Sequence, residues 1–161
     1  MSVPPQTSSP EDFRFYHPIE IRYGDIDAQG HVNNACYFTY MEQTRVRYIG
    51  SLGLWDRRAF DSIGIILAET SCTFLTPIEL TDAIRVGVRT THLGTKSLTT
   101  EYRFEGEAGK RLMATGRAVL VAYDYHQQQS IHIPPHWREA LSRFEGLQPY
   151  PPEGKSLPRA R

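Results

Sequence analysis

The chain has 161 residues, 40% of them hydrophobic, which is enough for one modest core in one domain. Lys+Arg and Asp+Glu balance at 18 each, so the formal net charge is zero. That balance argues against a nucleic-acid binder, which needs a basic excess to meet phosphates. It also leaves little self-repulsion to oppose self-association.

The N-terminal run MSVPPQTSSPEDF lacks the basic and apolar regions of a secretory leader. No apolar run reaches the roughly 20 residues needed to span a bilayer. The expectation is a cytoplasmic protein. Seven of the eleven prolines fall before residue 11 or after residue 148, in segments otherwise filled by Ser, Gln and Gly. Such segments bury too little apolar surface to offset their ordering entropy. The expected organisation is a flexible tail over 1–12, a single domain over 13–146 and a Pro-rich flexible tail over 147–161.

Ile19, Ile21 and Tyr23 alternate with Glu20 and Arg22, as in a strand with one buried face. The run YGDIDAQGHVNN, residues 23–34, interrupts that pattern with two aspartates, a glutamine, a histidine and two asparagines. A helical pattern follows, with Tyr37, Phe38, Met41, Tyr48, Ile49 and Leu52 on one broad face. Asn33 or Asn34 suits its N-cap, and Gly50 or Gly53 its end. Next comes IGIILAETSCTFL, residues 63–75, whose apolar start fits a strand buried on both faces. Three alternating runs joined by the short turns GTKS and GEAGK then predict an antiparallel meander. A weaker helix is predicted after Pro134-Pro135. Strand, long helix and four strands predict an α+β layer, one helix covering one antiparallel sheet. The sheet then needs further cover, for which a second subunit is suited.

The polar run places Asp27 just before the long helix. A helix start offers free N–H groups and a partial positive charge, which can stabilise the oxyanion of an attacked carbonyl. A carboxylate beside it can activate water or attack the carbon itself. A thioester is a suitable target, because its carbonyl is electrophilic and a thiolate leaves readily. The same residues also read as a turn with a helix cap: Asp27 as a turn carboxylate, Asp25 at the strand end, His31 bonded to backbone, Asn33-Asn34 as the cap. Cys36 and Cys72 have no zinc spacing, and free thiols are expected.

The order of these residues is specific. RYGDIDAQGHVNNACYFTYMEQTRVRYI resembles the signature of hotdog-fold acyl-CoA thioesterases of the 4-hydroxybenzoyl-CoA thioesterase-like family. The pattern Asp-x-Asp followed by Gly-His-Val-Asn-Asn also resembles the plant acyl-carrier-protein thioesterases. The later run from Ala68 to Phe104 is similar to the family's next strands.

The resemblance implies a long helix wrapped by a curved antiparallel sheet, with subunits paired edge to edge as a homodimer or homotetramer. It places the catalytic carboxylate, base or nucleophile, on Asp27. It places the oxyanion donor on the main-chain N–H of Asn34, with a further role for His31. An asparagine of the acyl-carrier-protein branch falls on Gln29, a departure from that pattern. The branch's glutamate falls on Glu69, which can serve the opposite subunit's site. Lys96, Arg85, Arg89 and Arg103 are candidates for coenzyme A phosphates. Tyr37 is a candidate for the acyl pocket, with core packing as its other reading. The substrate is an acyl-CoA or acyl-carrier-protein thioester, and no metal or redox cofactor is implied. A hydratase or dehydratase of acyl thioesters and a non-catalytic acyl-CoA-binding module are the alternatives.

Overall fold

The computed structural model describes residues 9–55 and 63–148. The expected tails fall mostly outside them. Residues Pro10–Asp12 form a 3-10 turn, and Asp12 lies 3.6 Å from the Arg89 guanidinium.

Strand β1 (Phe15–Ile19), helix α1 (Asn34–Ser51), β2 (Ile63–Phe74), β3 (Ile84–Leu93), β4 (Ser97–Gly106) and β5 (Arg111–Asp124) follow the expected order, but β1 lies earlier than the alternation over 19–23 predicts: its pairing with β3 runs out at Ile19 and Ile84, and Tyr23 is exposed in a 3-10 turn. A two-residue strand β6 (Gln129–Ser130) and helix α2 (Pro135–Glu145) complete it. The sheet is antiparallel with order β1-β3-β4-β5-β2, and β6 adds to the end of β5. The meander β3-β4-β5 forms as its short turns predict.

The sheet curls around α1. Tyr37, Tyr40, Met41, Thr44 and Tyr48 are buried, a stripe at spacings of three and four. They meet Val86, Val88, Tyr102, Phe104, Ala118 and Leu120 in one core. Gly116 lets the helix approach closely: a Cβ there would lie 2.8 Å from Met41 Sδ. The buried Thr44 hydroxyl is satisfied by the Tyr40 carbonyl at 2.8 Å. Phe38 departs from the expected face and is exposed, because it falls just outside this stripe.

Strand β2 departs from expectation too. It pairs only with β5 and so forms a sheet edge, with Ile66, Leu67 and Phe74 exposed in the single chain. An apolar run marks surface that can be buried, but it does not distinguish a central strand from one awaiting a partner. A bulge at Ala68 shifts its register between Leu67 and Glu69.

Helix α2 closes the far end of the layer. Trp137 and Leu141 are buried, and Gly146 ends the helix in a left-handed turn at φ 70°. The Glu145 carboxylate accepts the Thr90 N–H at 3.0 Å and the Tyr48 hydroxyl. Thr90 lies beyond the last β1 pairing, Phe15 with Val88, so this side chain satisfies an N–H that the edge strand does not reach. Among the described residues no helix is long and apolar enough to cross a membrane.

Candidate active site

After β1 the chain leaves the sheet, and Tyr23–Asp25 make a 3-10 turn. Asp25 is 2% exposed. Its carboxylate accepts the Arg22 main-chain N–H at 3.0 Å, Arg22 Nη2 at 2.7 Å and the Tyr40 hydroxyl at 2.7 Å. Arg22 Nε adds contacts at 3.1 and 3.3 Å. The hydrogen bonds from Arg22 outweigh the cost of burial and hold the Asp25 carboxyl down to about 2. The Asp25 carbonyl accepts the Asn33 N–H at 2.8 Å and the Cys36 thiol at 3.7 Å. Asp25 therefore ties the strand exit, the helix cap and the helix body together.

Asp27 sits differently. Its Oδ1 accepts the Gln29 N–H at 2.9 Å and the His31 N–H at 3.4 Å, closing a turn. Its main chain exchanges bonds with the His31 carbonyl and the Gly30 N–H, and Gly30 takes φ +83°, which favours glycine. Oδ2 has no donor among the described residues. The Val32 N–H then anchors to the Ile78 carbonyl at 2.8 Å, fixing the loop to the segment after β2.

Asn33 caps α1, its side chain accepting the Ala35 N–H at 2.9 Å while its carbonyl takes the Cys36 N–H. The Asn34 N–H, first of the helix, has no acceptor among the described residues. It lies where the helix dipole is positive.

Asp27, His31, Val32, Asn34 and the buried Tyr37 line an open cleft of about 440 Å³. Phe74, Leu75, Thr76 and Pro77, from the end of β2 and the segment after it, complete the lining as a second wall segment. The volume lies within the usual range for small-molecule sites. A residue bearing a carboxylate, one bearing an imidazole and the first residue of a helix thus line one cavity, the residue types that can activate water and hold an oxyanion. Tyr37 is 3% exposed, and burial pushes its hydroxyl up to about 12, so it stays neutral.

Of the residues singled out in the sequence, Asp27, His31, Asn34 and Tyr37 come together. Gln29 contributes its main chain and its side chain is not in the cleft lining. Glu69 lies outside the cleft within one chain, exposed and 3.1 Å from Arg117. Lys96 Nζ bonds the Ser130 carbonyl at 3.1 Å, in the β3–β4 turn away from the cleft. Arg85 and Arg103 clasp the buried Glu105, and Arg89 pairs with Glu101 at 3.1 Å. The 74–77 wall escaped sequence reasoning. Its one signal is Thr76-Pro77, a stop placed just after an apolar strand. The Arg22–Asp25–Tyr40 cluster also escaped, although Arg22 at three residues before Asp25 is a turn spacing. Among the described residues no three His, Cys, Asp or Glu side chains gather as a metal site.

A family model described as the thioesterase-like superfamily matches residues 21–141. The crystal structure of a thioesterase from Thermus thermophilus, complexed with coenzyme A and Zn, is 32% identical with a TM-score of 0.73. That match covers 84% of this chain and 98% of the other. The PA5185 protein of Pseudomonas aeruginosa PAO1 is 27% identical with a TM-score of 0.76, covering 83% of this chain and 92% of that one. YsmA of Bacillus subtilis strain 168 is 28% identical over 109 residues, covering 68% of this chain and 72% of that protein. The helix wrapped by a curved antiparallel sheet is the hotdog fold, shared with the thioesterase structure from Thermus thermophilus.

Proposed function

The chain belongs to the thioesterase-like superfamily of thioester hydrolases, and on that footing we propose that it is an acyl-CoA thioesterase working through Asp27 and the start of α1. The observation that carries this reading is an Asp27 oxygen without a donor among the described residues, on a cleft that Asn34, the first residue of α1, also lines.

The thioester carbonyl oxygen sits at the Asn34 N–H, where developing negative charge meets the helix dipole. Asp27 Oδ2 takes a proton from water as the water oxygen bonds to the carbonyl carbon, or attacks that carbon itself to give, once the C–S bond has broken, a mixed anhydride that water then hydrolyses. The oxyanion collapses, the C–S bond breaks, and the sulfur leaves as thiolate and takes up a proton. The products are a free acid and coenzyme A. His31 supplies a second polar group in the cleft for the departing sulfur.

The same reading has the protein acting as a homodimer in the cytoplasm, where Cys36 and Cys72, both free, stay reduced. The β2 edge is 12 residues long and apolar over Ile63–Ala68, whereas the β1 edge is 5 residues long and carries Pro18. A second copy paired along β2 buries that edge and brings Glu69 to the seam. Light scattering is expected to give twice 18.4 kDa; a monomer contradicts the dimer.

Thiol release from a panel of acyl-CoAs tests the chemistry. Asp27→Asn is expected to lower kcat by about 10²–10⁴-fold with the fold retained. Equal release by both proteins contradicts the role of Asp27.

A further inference from the structure

Tyr37 is the most buried residue of the cleft lining, and aromatic rings pack around it. Tyr37 lies one turn into α1, ~4.5 Å along the axis from Asn34. Its ring meets Phe74 edge to face, centroids 4.8 Å apart at 82°. Behind it stands Phe104, fully buried, at 5.2 Å. One turn deeper Met41 fills the space over Gly116, 1% exposed itself. An acyl chain directed inward from the Asn34 N–H therefore meets rings after about one helical turn, with packed core beyond. Passing them requires Tyr37 to leave both aromatic contacts in an interior that resists even one added methylene.

We propose that the Tyr37–Phe74 contact is an acyl stop: the site takes compact acyl groups, short chains or a single ring, and excludes long linear ones. The inference rests on the hydrolase reading for its substrate. Phe74 is the adjustable half. It ends the edge strand and is 46% exposed in the single chain, so truncating it opens the cleft without emptying this chain's core, and light scattering on Phe74→Ala and Phe74→Val checks that pairing along β2 survives. Tyr37 is the fixed half, held at 3% exposure by Phe104 and the helix.

The test compares butanoyl-, benzoyl-, octanoyl- and dodecanoyl-CoA on wild type, Phe74→Ala and the milder Phe74→Val. Wild type is expected to lose about tenfold or more in kcat/KM between the better compact substrate and dodecanoyl-CoA. Both variants are expected to recover most of that loss on octanoyl- and dodecanoyl-CoA, with less change on butanoyl-CoA. Tyr37→Phe keeps the ring and is expected to preserve the wild-type order. Binding of non-hydrolysable S-butyl- and S-dodecyl-CoA thioethers reads the stop without the chemistry. The stop predicts that the longer thioether binds wild type no more tightly than the shorter, and more tightly after Phe74→Ala. No thiol release with that ordering intact would remove the hydrolase reading and keep the stop. Dodecanoyl-CoA as the best wild-type substrate, tighter wild-type binding of the dodecyl thioether, or a uniform change in Phe74→Ala would overturn it.

Discussion

Asp25 and Asp27 are two residues apart in one loop, and their surroundings differ in every respect that matters. Asp25 is buried, meets five donor contacts from Arg22 and Tyr40, and has its carboxyl held down to about 2. Asp27 is half-buried, with Oδ1 in a turn and Oδ2 facing no donor among the described residues. The carboxylate whose pKa is lowered is therefore the one with both oxygens occupied. A depressed pKa with saturated lone pairs describes a strut, and an unsaturated oxygen in a cleft describes a reactant.

That contrast can be broken experimentally. Asp25→Ala leaves the Tyr40 hydroxyl and Arg22 without their partner and is expected to cost about 3 kcal/mol by chemical denaturation. Asp27→Asn is expected to change stability by less than about 1 kcal/mol while removing activity. Comparable stability losses from the two would erase the distinction.

Acid titration sharpens it. The folded Asp25 carboxyl lies at about 2 against an ordinary 3.8, so its contribution to stability is complete above that ordinary value. It is lost as pH falls from about 4 toward 2. Asp25→Asn is expected to flatten that part of the stability–pH curve, and an unchanged curve would contradict the Arg22 pairing.

Smaller effects bear on the other ends of the loop and sheet. Asn33→Ala removes the α1 cap and is expected to cost about 1 kcal/mol. Glu69→Ala removes an exposed pair with Arg117 and is expected to cost at most about 0.5 kcal/mol. A loss of turnover in Glu69→Ala without a loss of stability would place Glu69 at the partner's site.

The fold was legible because its signals are local. The alternation in β3–β5, the turns GTKS and GEAGK, and the helical stripe each follow from backbone period alone. Asp27, His31 and Asn34 were legible because one loop carries them to one helix start. Phe74 and Pro77 were not, since only tertiary folding carries the end of β2 to that loop. The exposure of β2 was hidden for a related reason: apolar sequence encodes burial without naming the chain that provides it. Sequence shows the charge of Lys96 and the arginines but not Glu105, Glu101 or Ser130, which lie beside them in the fold.

The central claim is that the main chain of Asn34 holds the oxyanion, and one pair of variants addresses it. Asn34 is the first residue of α1, where proline is accepted, and Asn33 at φ −57° and ψ 137° already has the conformation proline demands of its predecessor. Asn34→Pro therefore deletes the N–H and keeps the helix, whereas Asn34→Ala deletes only the side chain. Thiol release from the best acyl-CoA is predicted to fall about 10²–10³-fold in Asn34→Pro and to stay near wild type in Asn34→Ala. A folded Asn34→Pro protein with wild-type turnover would contradict the account.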